Sequence, residues 1–471
     1  MSDSEEQLGT PGNVIIEECK LYLHDGTDVV LRDMSDPGKP INYVAEINIY
    51  EGIFDKYLTG SIRIEDAANI ITDAPIMGGE VFYLKLRTPT LDDTPANVIE
   101  KEFRVFSILD RDLNEDRSQG YTLEFMSIEG MADQNQILQQ RYKGNTEDII
   151  REIYDKNIKI SRKPMSGGTA PTGLWIGDTP HSSNVSFISN KWTPMQTLDY
   201  MSKYIRGNKH DGADFVFYES NKDFYFTSLQ QLISTGKDAM LDEYVYAQPS
   251  QELPRRSVGS FTSGWTPAGW VTITEMKIPR TIDIIDGQDS GFYAQSVRAY
   301  DLFSKERMET RIDAREDFDK FVHTEDGIPI PHGAEGSPHA MTAIKVLNSA
   351  NNITQSYNIP GAKGGNSDNM NVIASSVLRD NYFSSFKDYT FEIDVPGRTD
   401  IEVGKMIYVA YPAPRSKTED LDFDQIFDKQ LSGKYLITHI RHKIDNAGYV
   451  MMMEIQKNGL PESLGPVAEG G

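Results

Sequence analysis

The same order of strand signals occurs twice in this chain, once in its first third and once near its end. In each copy a glycine turn leads into an apolar strand, a second strand follows, and a third strand opens with Gly-Tyr. The matching segments are Gly79–Lys85 with Gly404–Ala410, Glu102–Leu109 with Lys434–Arg441, and Gly120–Ile128 with Gly448–Gln456. One hairpin can match another by chance, but three signals in one order predict that a β-domain has been duplicated.

The last two segments of the second copy predict a β-hairpin with contacts on both faces. Asp445–Gly448 tolerate the backbone of a tight turn. Strand alternation predicts a core face made of Tyr449, Met451, Met453 and Ile455. Val450 and Met452 then lie on the opposite face, where a solvated strand would carry polar side chains. We therefore predict that Val450 and Met452 contact a neighbouring subunit; cover by the protein's own insertion is the alternative.

Short strands flank a segment with helix signals, so the fold class is mainly β with an α+β part. We predict two homologous small, tube-like β-barrel domains on either side of an α+β domain. A chain with two equivalent barrels can form a pseudo-six-fold ring as a trimer. The predicted boundaries are a disordered segment at 1–12, a first β-barrel at 13–128, an α+β domain at 129–255, a second β-barrel at 256–300 and 367–458, a helical and loop insertion at 301–366, and a flexible tail at 459–471.

Capping and turn signals predict the elements of the α+β domain. Thr146–Asp155 starts with acidic residues that suit a helix dipole. Thr193–Gln196 is a capping box with proline at the first helical position. Asp214–Tyr218 and Asp223–Thr227 predict a hairpin around the turn 220–222.

The segment after the α+β domain mixes strand and helix signals. Met276–Ile285 and Gly291–Ala299 are predicted strands of the second barrel. Leu302–Val322 is rich in charged residues that favour a solvated helix, and Asp368–Tyr382 has the apolar spacing of a second helix. The proline-rich and glycine-rich stretch between these two helices is predicted to be an insertion.

The composition limits what the chain can bind. The formal net charge of −24 at pH 7 argues against direct binding of a phosphate backbone, which needs basic patches. Cys19 is the only cysteine, so intrachain disulfides and cysteine-based zinc sites are excluded. No apolar run reaches the roughly 18 residues of a membrane helix, and the acidic N-terminus does not have the pattern of a signal segment. We expect no direct membrane insertion.

No pattern predicts catalysis, a cofactor or a metal centre. His439 and His442 are three apart on a predicted strand, so they point to opposite faces and cannot share a metal. His332 and His339 lie in one proline-containing loop, where spacing alone gives a weak metal signal. The chain has neither a His-Glu-x-x-His motif nor a phosphate-binding glycine loop with its lysine.

Acidic and aromatic clusters give weak alternatives to a structural role. Asp112–Asp116 and Asp420–Asp424 alternate oxygen ligands but lack the glycine and glutamate positions of an EF-hand. The aromatic run in 215–226 has the chemistry of a sugar-binding surface, although core packing explains it better. Among 71 acidic residues, nothing marks the pair that glycoside cleavage needs.

At this point the residues resemble a known family. Gly433–Asn458 resembles the C-terminal hairpin of the T-even-type phage baseplate hubs. Trp192–Arg206 followed by Asp214–Tyr218 resembles the helix-plus-hairpin module of the wider tail-hub family. The order of barrel, α+β domain and barrel also matches over most of the chain, whereas Leu302–Gly365 departs from the family pattern.

The resemblance implies a structural virion protein of a contractile phage tail, expressed late and without enzymatic activity or a cofactor. It implies a homotrimer whose ring adapts the six-fold tail tube above to a three-fold spike, often a lysozyme-type protein, below. The ring would hold the end of the tape-measure protein and later pass DNA without specific binding. Assembly would take place in the host cytoplasm, and the mature protein would reside in the tail baseplate.

Two other functions fit the same sequence. The chain has the pattern of the hub of a phage-derived contractile injection system, which differs in its neighbouring genes rather than in its residues. From another class, a β-rich carbohydrate-binding or glycan-cleaving protein would also use β-domains and exposed aromatic residues. A stable monomer that binds or cleaves glycans would favour this last function.

Overall fold

Two runs of β-strands on either side of a helix-containing segment make up most of the structure. The computed structural model describes residues 10–34, 40–89, 91, 94–115, 118–159, 173–178, 184–210, 213–239, 241–246, 260–261, 264–265, 268–279, 281–301, 305, 307–329, 342–347, 363–364, 378–413 and 427–461. The first run contains β1 (Ile15–Tyr22), β2 (Asp28–Asp33), β3 (Ile41–Asn42), β4 (Val44–Gly52), β5 (Thr59–Asp66), α1 (Ile70–Asp73), β6 (Val81–Arg87), β7 (Val98–Glu115) and β8 (Ser118–Ser127).

The middle segment alternates helices with short strands. The elements are α2 (Ile128–Gln134), β9 (Arg141–Asn145), α3 (Thr146–Ile153), a π turn (Tyr154–Ile158), β10 (Leu174–Ile176), β11 (Asn184–Ile188), α4 (Pro194–Ser202), β12 (Phe215–Glu219), β13 (Phe224–Ser228), α5 (Leu229–Asp238) and β14 (Glu243–Tyr246). Thr193 and Gln196 form the predicted capping box of α4. The cap of α3 is Asn145, one residue before the predicted start. The mainly β class with an α+β part is confirmed.

The last run returns to strands. Its elements are β15 (Ser260–Phe261), β16 (Gly264–Trp265), a 3-10 turn (Ala268–Val271), β17 (Thr272–Ile273), β18 (Glu275–Lys277), α6 (Ile284–Asp289), β19 (Ala294–Asp301), β20 (Arg307–Asp313), a 3-10 turn (Phe318–Lys320), β21 (Thr342–Leu347), β22 (Lys363–Gly364), β23 (Tyr389–Pro396), β24 (Met406–Ala410), β25 (Gly433–Asp445) and β26 (Gly448–Lys457). Residues 378–384 are helical, and the rest of the predicted second helix lies outside the described residues.

One large sheet contains both β runs. Its order passes from β24 through β25 to β4, β5, β8, β7, β6 and β1, while β26, β23 and β18 branch from β25. The strands β5, β8, β7 and β6 are neighbours in the first run, as β23, β26, β25 and β24 are in the second. The predicted repeat is therefore visible as two equal strand orders. The two copies meet where β4 pairs antiparallel with β25.

Each copy has an equivalent hydrogen bond at its glycine turn. The Gly79 amide donates to the Val105 carbonyl at 2.7 Å, and the Gly404 amide donates to the Ile437 carbonyl at 2.9 Å. In both copies the long strand bulges just after this residue, between Val105 and Ser107 in the first and between Ile437 and His439 in the second. A bulge at the same position is a specific feature of a β-domain, so it supports duplication more strongly than strand order alone.

The structure corrects the alignment of the third strand in the repeat. The residue after each bulge pairs with a glutamate, Glu124 in the first copy and Glu454 in the second. Gly120 therefore corresponds to Val450, two residues beyond the Gly448 suggested by the Gly-Tyr signal. A shift of two residues leaves the same side chains on the core face, so sequence alternation does not reveal it.

Two predictions on the segment 276–322 are wrong, whereas the predicted strand in Gly291–Ala299 is confirmed as β19. Met276–Ile285 holds the short strand β18 and the start of α6, whose cap is the Asp283 side chain. The predicted helix 302–322 contains strand β20 instead, which pairs with β19. These two strands form a separate sheet with β21 and β22, so β19 does not belong to the large sheet. Charged residues permit either state, and cross-strand pairs such as Arg298 with Glu309 stabilise the strand.

Two polar stretches also contain paired strands. The segment between Leu109 and Gly120 continues β7 and β8, which pair as far as Glu115 and Ser118. The glycine-rich and serine-rich stretch before α4 holds β10 and β11. Of the segments predicted as disordered, insertion or tail (1–12, 301–366 and 459–471), residues 1–9, half of 301–366 and residues 462–471 lie outside the described residues. Within the described residues no helix is long and apolar enough to cross a membrane.

The equivalent glycines Gly79 and Gly404 give a matched test of the repeat. Both have positive φ, +90° and +83°, so alanine at either position should cost about 1–2 kcal/mol of backbone strain. A Cβ on Gly404 would also lie 2.5 Å from the hydroxyl of Tyr218, whereas a Cβ on Gly79 meets the ring of His24 at 3.2 Å. Because Tyr218 is buried and His24 is not, Gly404→Ala should lower the urea midpoint more than Gly79→Ala. Equal losses would contradict close packing at Gly404.

Candidate assembly interface

A hairpin from the α+β segment contacts both copies of the repeat. The turn between β12 and β13, Glu219–Asp223, is called here the hairpin tip. On one side the Leu58 amide donates to Glu219 Oε2 at 3.1 Å. On the other side Asn221 Nδ2 donates to the Ile401 carbonyl at 3.0 Å, and Ser220 Oγ donates to Glu402 Oε2 at 2.8 Å. The hairpin tip therefore links the middle segment to both β runs through a few polar contacts.

Glu219 of the hairpin tip also forms a buried ion pair. Lys101 Nζ lies 2.7 Å from Glu219 Oε1, and the two side chains are 7% and 0% exposed. The same ammonium donates to the Ser220 carbonyl at 2.9 Å. Lys222, also in the hairpin tip, donates to the carbonyl of Val98 at the start of β7 at 2.6 Å. Burial lowers the pKa of Lys222 to about 8.

A second buried network crosses the join between β4 and β25. His442 Nε2 donates to Glu51 Oε1 at 2.8 Å, and both side chains are 0% exposed. Glu51 Oε2 accepts from the Asn221 amide at 2.8 Å, so one carboxylate connects the first copy, the second copy and the hairpin tip. His442 Nδ1 lies 2.7 Å from the hydroxyl of Tyr449, whose pKa burial raises well above its usual value. Tyr449 therefore keeps its proton, and its hydroxyl also lies 3.2 Å from the Arg398 carbonyl.

An arginine anchors the segment that follows β23. Arg398 is 1% exposed and donates to Asp400 through Nε (3.1 Å) and Nη2 (2.7 Å). Its Nη1 donates to Asp242 Oδ2 at 2.7 Å, just before β14. Two carboxylates around one guanidinium offset the desolvation cost of burying the cation. The polar network thus extends from β4 to the strands at the far side of the second copy.

Val450 and Met452 lie where the alternation predicts. Along β26 the residues Tyr449, Met451, Met453 and Ile455 are buried in the core, and Val450 and Met452 are half-buried on the other face. Met452 pairs with Arg441 on β25 and with Asp394 on β23. This face therefore surrounds two apolar side chains with charged ones, and the contact of Val450 and Met452 with another subunit stays a prediction.

The histidine and acidic clusters give no metal centre in the part of the chain described. His442 is buried while His439 lies on the outer face and contacts Glu454 at 3.0 Å, so the predicted opposite orientation is confirmed. No group of three or more His, Cys, Asp or Glu side chains is placed to hold a metal within the described residues. His332, His339 and the acidic run 420–424 lie outside those residues.

The aromatic run of the hairpin is core rather than surface. Phe215, Phe217, Phe224 and Phe226 are all buried within one cluster together with α3 and α4. Phe217 stacks on Phe224 with ring centroids 5.9 Å apart. These four rings are therefore not available to stack on a sugar. Tyr218 is buried as well, and Tyr225 is half-buried and stacks on Tyr218 with ring centroids 5.1 Å apart.

Sequence patterns did not single out Glu51, Lys101, Glu219, Asn221 or His442 as junction residues. The sequence contains one weak signal, a charged residue in an otherwise apolar strand. Glu51 lies in such a strand, and Glu219 ends a strand of aromatic and aliphatic residues. A charged residue at such positions needs a partner when the strand is buried. The partners lie far away in the sequence, so the sequence alone gives no means of choosing them.

Comparisons with known proteins show similarity in structure but not in sequence. No protein-family profile matches the chain, and no curated protein sequence matches it. The tail protein from Neisseria meningitidis MC58 superposes with a TM-score of 0.51 at 9% identity, over 95% of this chain and 99% of that one. The 43 kDa tail protein of prophage MuSo2 from Shewanella oneidensis has a TM-score of 0.47 at 9% identity, over 94% and 99% of the two chains. Prophage tail protein gp18 from Listeria monocytogenes EGD-e has a TM-score of 0.45 at 7% identity, over 94% and 95%.

The first of these comparisons establishes a shared fold. The match runs over nearly the full length of both chains, so it includes both β runs and the middle segment together. The resemblance to the tail-hub family is therefore supported at the level of a tail-protein fold. At 9% identity this likeness does not transfer residues, partners or symmetry.

Proposed function

We propose that this chain is the structural hub of a contractile phage tail and that it works as a homotrimeric ring without catalysing a reaction. The observation that carries the proposal is the joined repeat. Two copies of one strand order lie side by side in a single sheet and meet through β4 and β25. A tail-protein fold over nearly the whole chain supports the same function.

The repeat explains how a three-fold particle meets a six-fold one. Each subunit supplies two similar β units, so three subunits supply six around the ring axis. A hexameric tail tube could then bind above with one contact for each unit. Features that occur once in each chain, above all the middle segment, occur three times in the ring. They therefore suit a three-fold spike or lysozyme-type protein below.

The buried network suits a ring that has to keep its dimensions. The carboxylate of Glu51 and the hairpin tip hold the two copies and the middle segment in one arrangement. A net charge of −24 makes the chain a poor ligand for phosphate groups, which supports the passage of DNA without specific binding. The tape-measure end would occupy the same opening before ejection.

Met452→Glu tests the face that carries Val450 and Met452. We expect this substitution to weaken trimer formation at least tenfold, because the added carboxylate would lose its water in the subunit contact. The fold should be retained, since Met452 is half-exposed and pairs with Arg441. The measurement is sedimentation velocity over a concentration series, together with thermal unfolding.

Gln456→Glu is the control for this substitution, because it adds the same charge on the same face of β26. It should leave the trimer unchanged. Loss of folding in Met452→Glu would place this side chain in the core instead. Equal weakening by both variants would show a general charge effect and would contradict the assigned contact.

The proposed function as a whole is tested by imaging. Class averages of negatively stained particles of the purified chain should show a ring with three-fold symmetry and six similar densities on one face. The interpretation as a hub would be contradicted by particles without a ring. Glycan binding by a stable monomer would support the carbohydrate-binding alternative instead.

A further inference from the structure

The C-terminal half of β7 is the counterpart of the strand segment that joins the two copies. In the second copy, His439–Asp445 of β25 pairs with β4. The equivalent stretch of β7 begins at Ser107, because Ser107 and His439 each follow the bulge and each pair with the corresponding glutamate. The neighbour of β7 on that side, β6, pairs only as far as Arg104. Within the described residues, the edge of β7 beyond Arg104 has no partner strand.

An exposed leucine on this edge occupies a position that is buried in the other copy. Leu113 pairs with Gln119 on β8, and Ile444 pairs with Tyr449 on β26. Gln119 and Tyr449 are corresponding residues, since they precede Gly120 and Val450. Leu113 is 84% exposed, whereas Ile444, which pairs with Ile47 on β4, is 1% exposed. The first copy therefore presents an apolar side chain for which the second copy already shows a cover.

The strand that corresponds to β4 lies at the other end of the sheet. It is β18, which pairs with β23 as β4 pairs with β5. Lys277 pairs with Glu392, and Asn48 pairs with Ser61. Glu392 and Ser61 correspond, because they pair with Glu454 and Glu124 respectively. Lys277 therefore corresponds to Asn48 and Met276 to Ile47.

We propose that β18 of one subunit pairs antiparallel with the edge of β7 beyond Arg104 in the next subunit. This contact repeats the join between β4 and β25. The inference rests on the ring proposed above and names its contact. In the internal join Asn48 pairs with Lys443, and Ile47 pairs with Ile444. The same register between subunits brings Lys277 opposite Asp112 and Met276 opposite Leu113. The pairing of β7 with β8 is irregular on either side of Asp112 and Leu113, between Leu109 and Asp112 and between Leu113 and Glu115, so these two residues form the regular part of the contact.

The chemistry of these residues favours the pairing. Leu113 and Met276 are both apolar, and burying an exposed leucine side chain contributes about 1.5–3 kcal/mol. Asp112 and Lys277 carry opposite charges and both are exposed in the single chain. Pairing would also satisfy backbone groups on two strand edges that have no partner strand among the described residues. The contact joins two different edges of the chain, so it is head-to-tail and closes only as a ring.

Cysteine pairs at equivalent positions test the contact in the full-length chain. Asp112→Cys with Lys277→Cys should crosslink between subunits under mild oxidation, because opposed residues of antiparallel strands lie within disulfide distance. Asn48→Cys with Lys443→Cys is the matched control, since this pair has the same register within one chain. The native Cys19 does not interfere, because it is buried and burial raises the pKa of its thiol to about 12.

We expect the first pair to give covalent dimers and trimers on a denaturing gel and the control pair to remain at the mass of one chain. Each single cysteine variant should give neither product. A particle with trimer mass that yields no interchain crosslink, while the control pair closes, would overturn the proposed contact and leave the ring intact. A monomeric mass with no interchain crosslink would overturn the ring and the contact together.

A charge exchange gives an independent measurement of the same contact. Lys277→Asp should weaken trimer formation several-fold, because it would bring two carboxylates together. Adding Asp112→Lys to that variant should restore most of the affinity by reversing the pair. The contact would be contradicted if the double variant were weaker than Lys277→Asp alone.

Discussion

Replacing Glu51 with alanine is expected to lower the free energy of unfolding by about 3–5 kcal/mol, because two buried donors lose their acceptor at about 1–3 kcal/mol each and a cavity is added. The substitution removes the acceptor of His442 Nε2 and of the Asn221 amide at the same time. It also leaves a cavity between the two copies of the repeat, because the Glu51 side chain is 0% exposed. Urea unfolding followed by tryptophan fluorescence and circular dichroism measures the loss.

Two variants on the same strand separate the network from general effects. Glu51→Gln keeps the size and one acceptor oxygen, so it should cost less than Glu51→Ala. Glu46→Ala removes a half-exposed carboxylate from β4 that contacts Arg441 and Lys443 at 3.5 and 3.7 Å, and it should cost less than about 1 kcal/mol. An equal cost for Glu46→Ala and Glu51→Ala would contradict the assigned importance of the buried network.

Lys101→Met is the second substitution with a large expected effect, again about 3–5 kcal/mol, because it leaves Glu219 buried without its cation. The double variant Lys101→Met with Glu219→Gln should recover part of this loss. The introduced glutamine side chain carries no charge, and its oxygen still accepts from the backbone amide of Leu58. A double-mutant cycle measured by urea unfolding gives the coupling between the two residues.

A surface pair in the same chain provides the comparison. Lys237 contacts Asp326 at 2.7 Å, but the Asp326 side chain is 95% exposed. Lys237→Met should therefore cost no more than about 1 kcal/mol. If Lys101→Met is no more destabilising than Lys237→Met, the hairpin tip does not hold the two β runs together.

Much of the fold could be predicted because its signals are local. Alternation identified the core face of β26, and a capping box located the start of α4. The repeat was also predictable, since turn, strand and Gly-Tyr signals recur in one order. Its exact register was not, because a shift of two residues preserves the side-chain pattern that the sequence displays.

The wrong predictions fall where local signals fit two structures. Arg307–Asp313 is charged enough for a solvated helix, yet Met308, Thr310 and Ile312 also alternate as in a strand. Pairing with β19 decides between the two, and that partner is a tertiary feature. The extension of β7 and β8 was missed for a similar reason, since polar residues on a strand ribbon resemble a loop.

The junction residues depend on contacts that no local pattern contains. Glu51 reaches Asn221 and His442 across separations of 170 and 391 positions. Each residue alone has an ordinary explanation as a turn, strand or surface residue. Their joint role follows only from the pairing of β4 with β25, which brings the two copies together with the hairpin tip.

The mass of the purified chain in native solution is the most direct measurement of the proposed trimeric ring. A ring of three subunits has three times the chain mass of 53.0 kDa. We predict that sedimentation equilibrium or native mass spectrometry at micromolar concentration gives this trimer mass as the dominant species. A dominant, well-folded species at the mass of one chain under the same conditions would contradict the proposed trimeric ring.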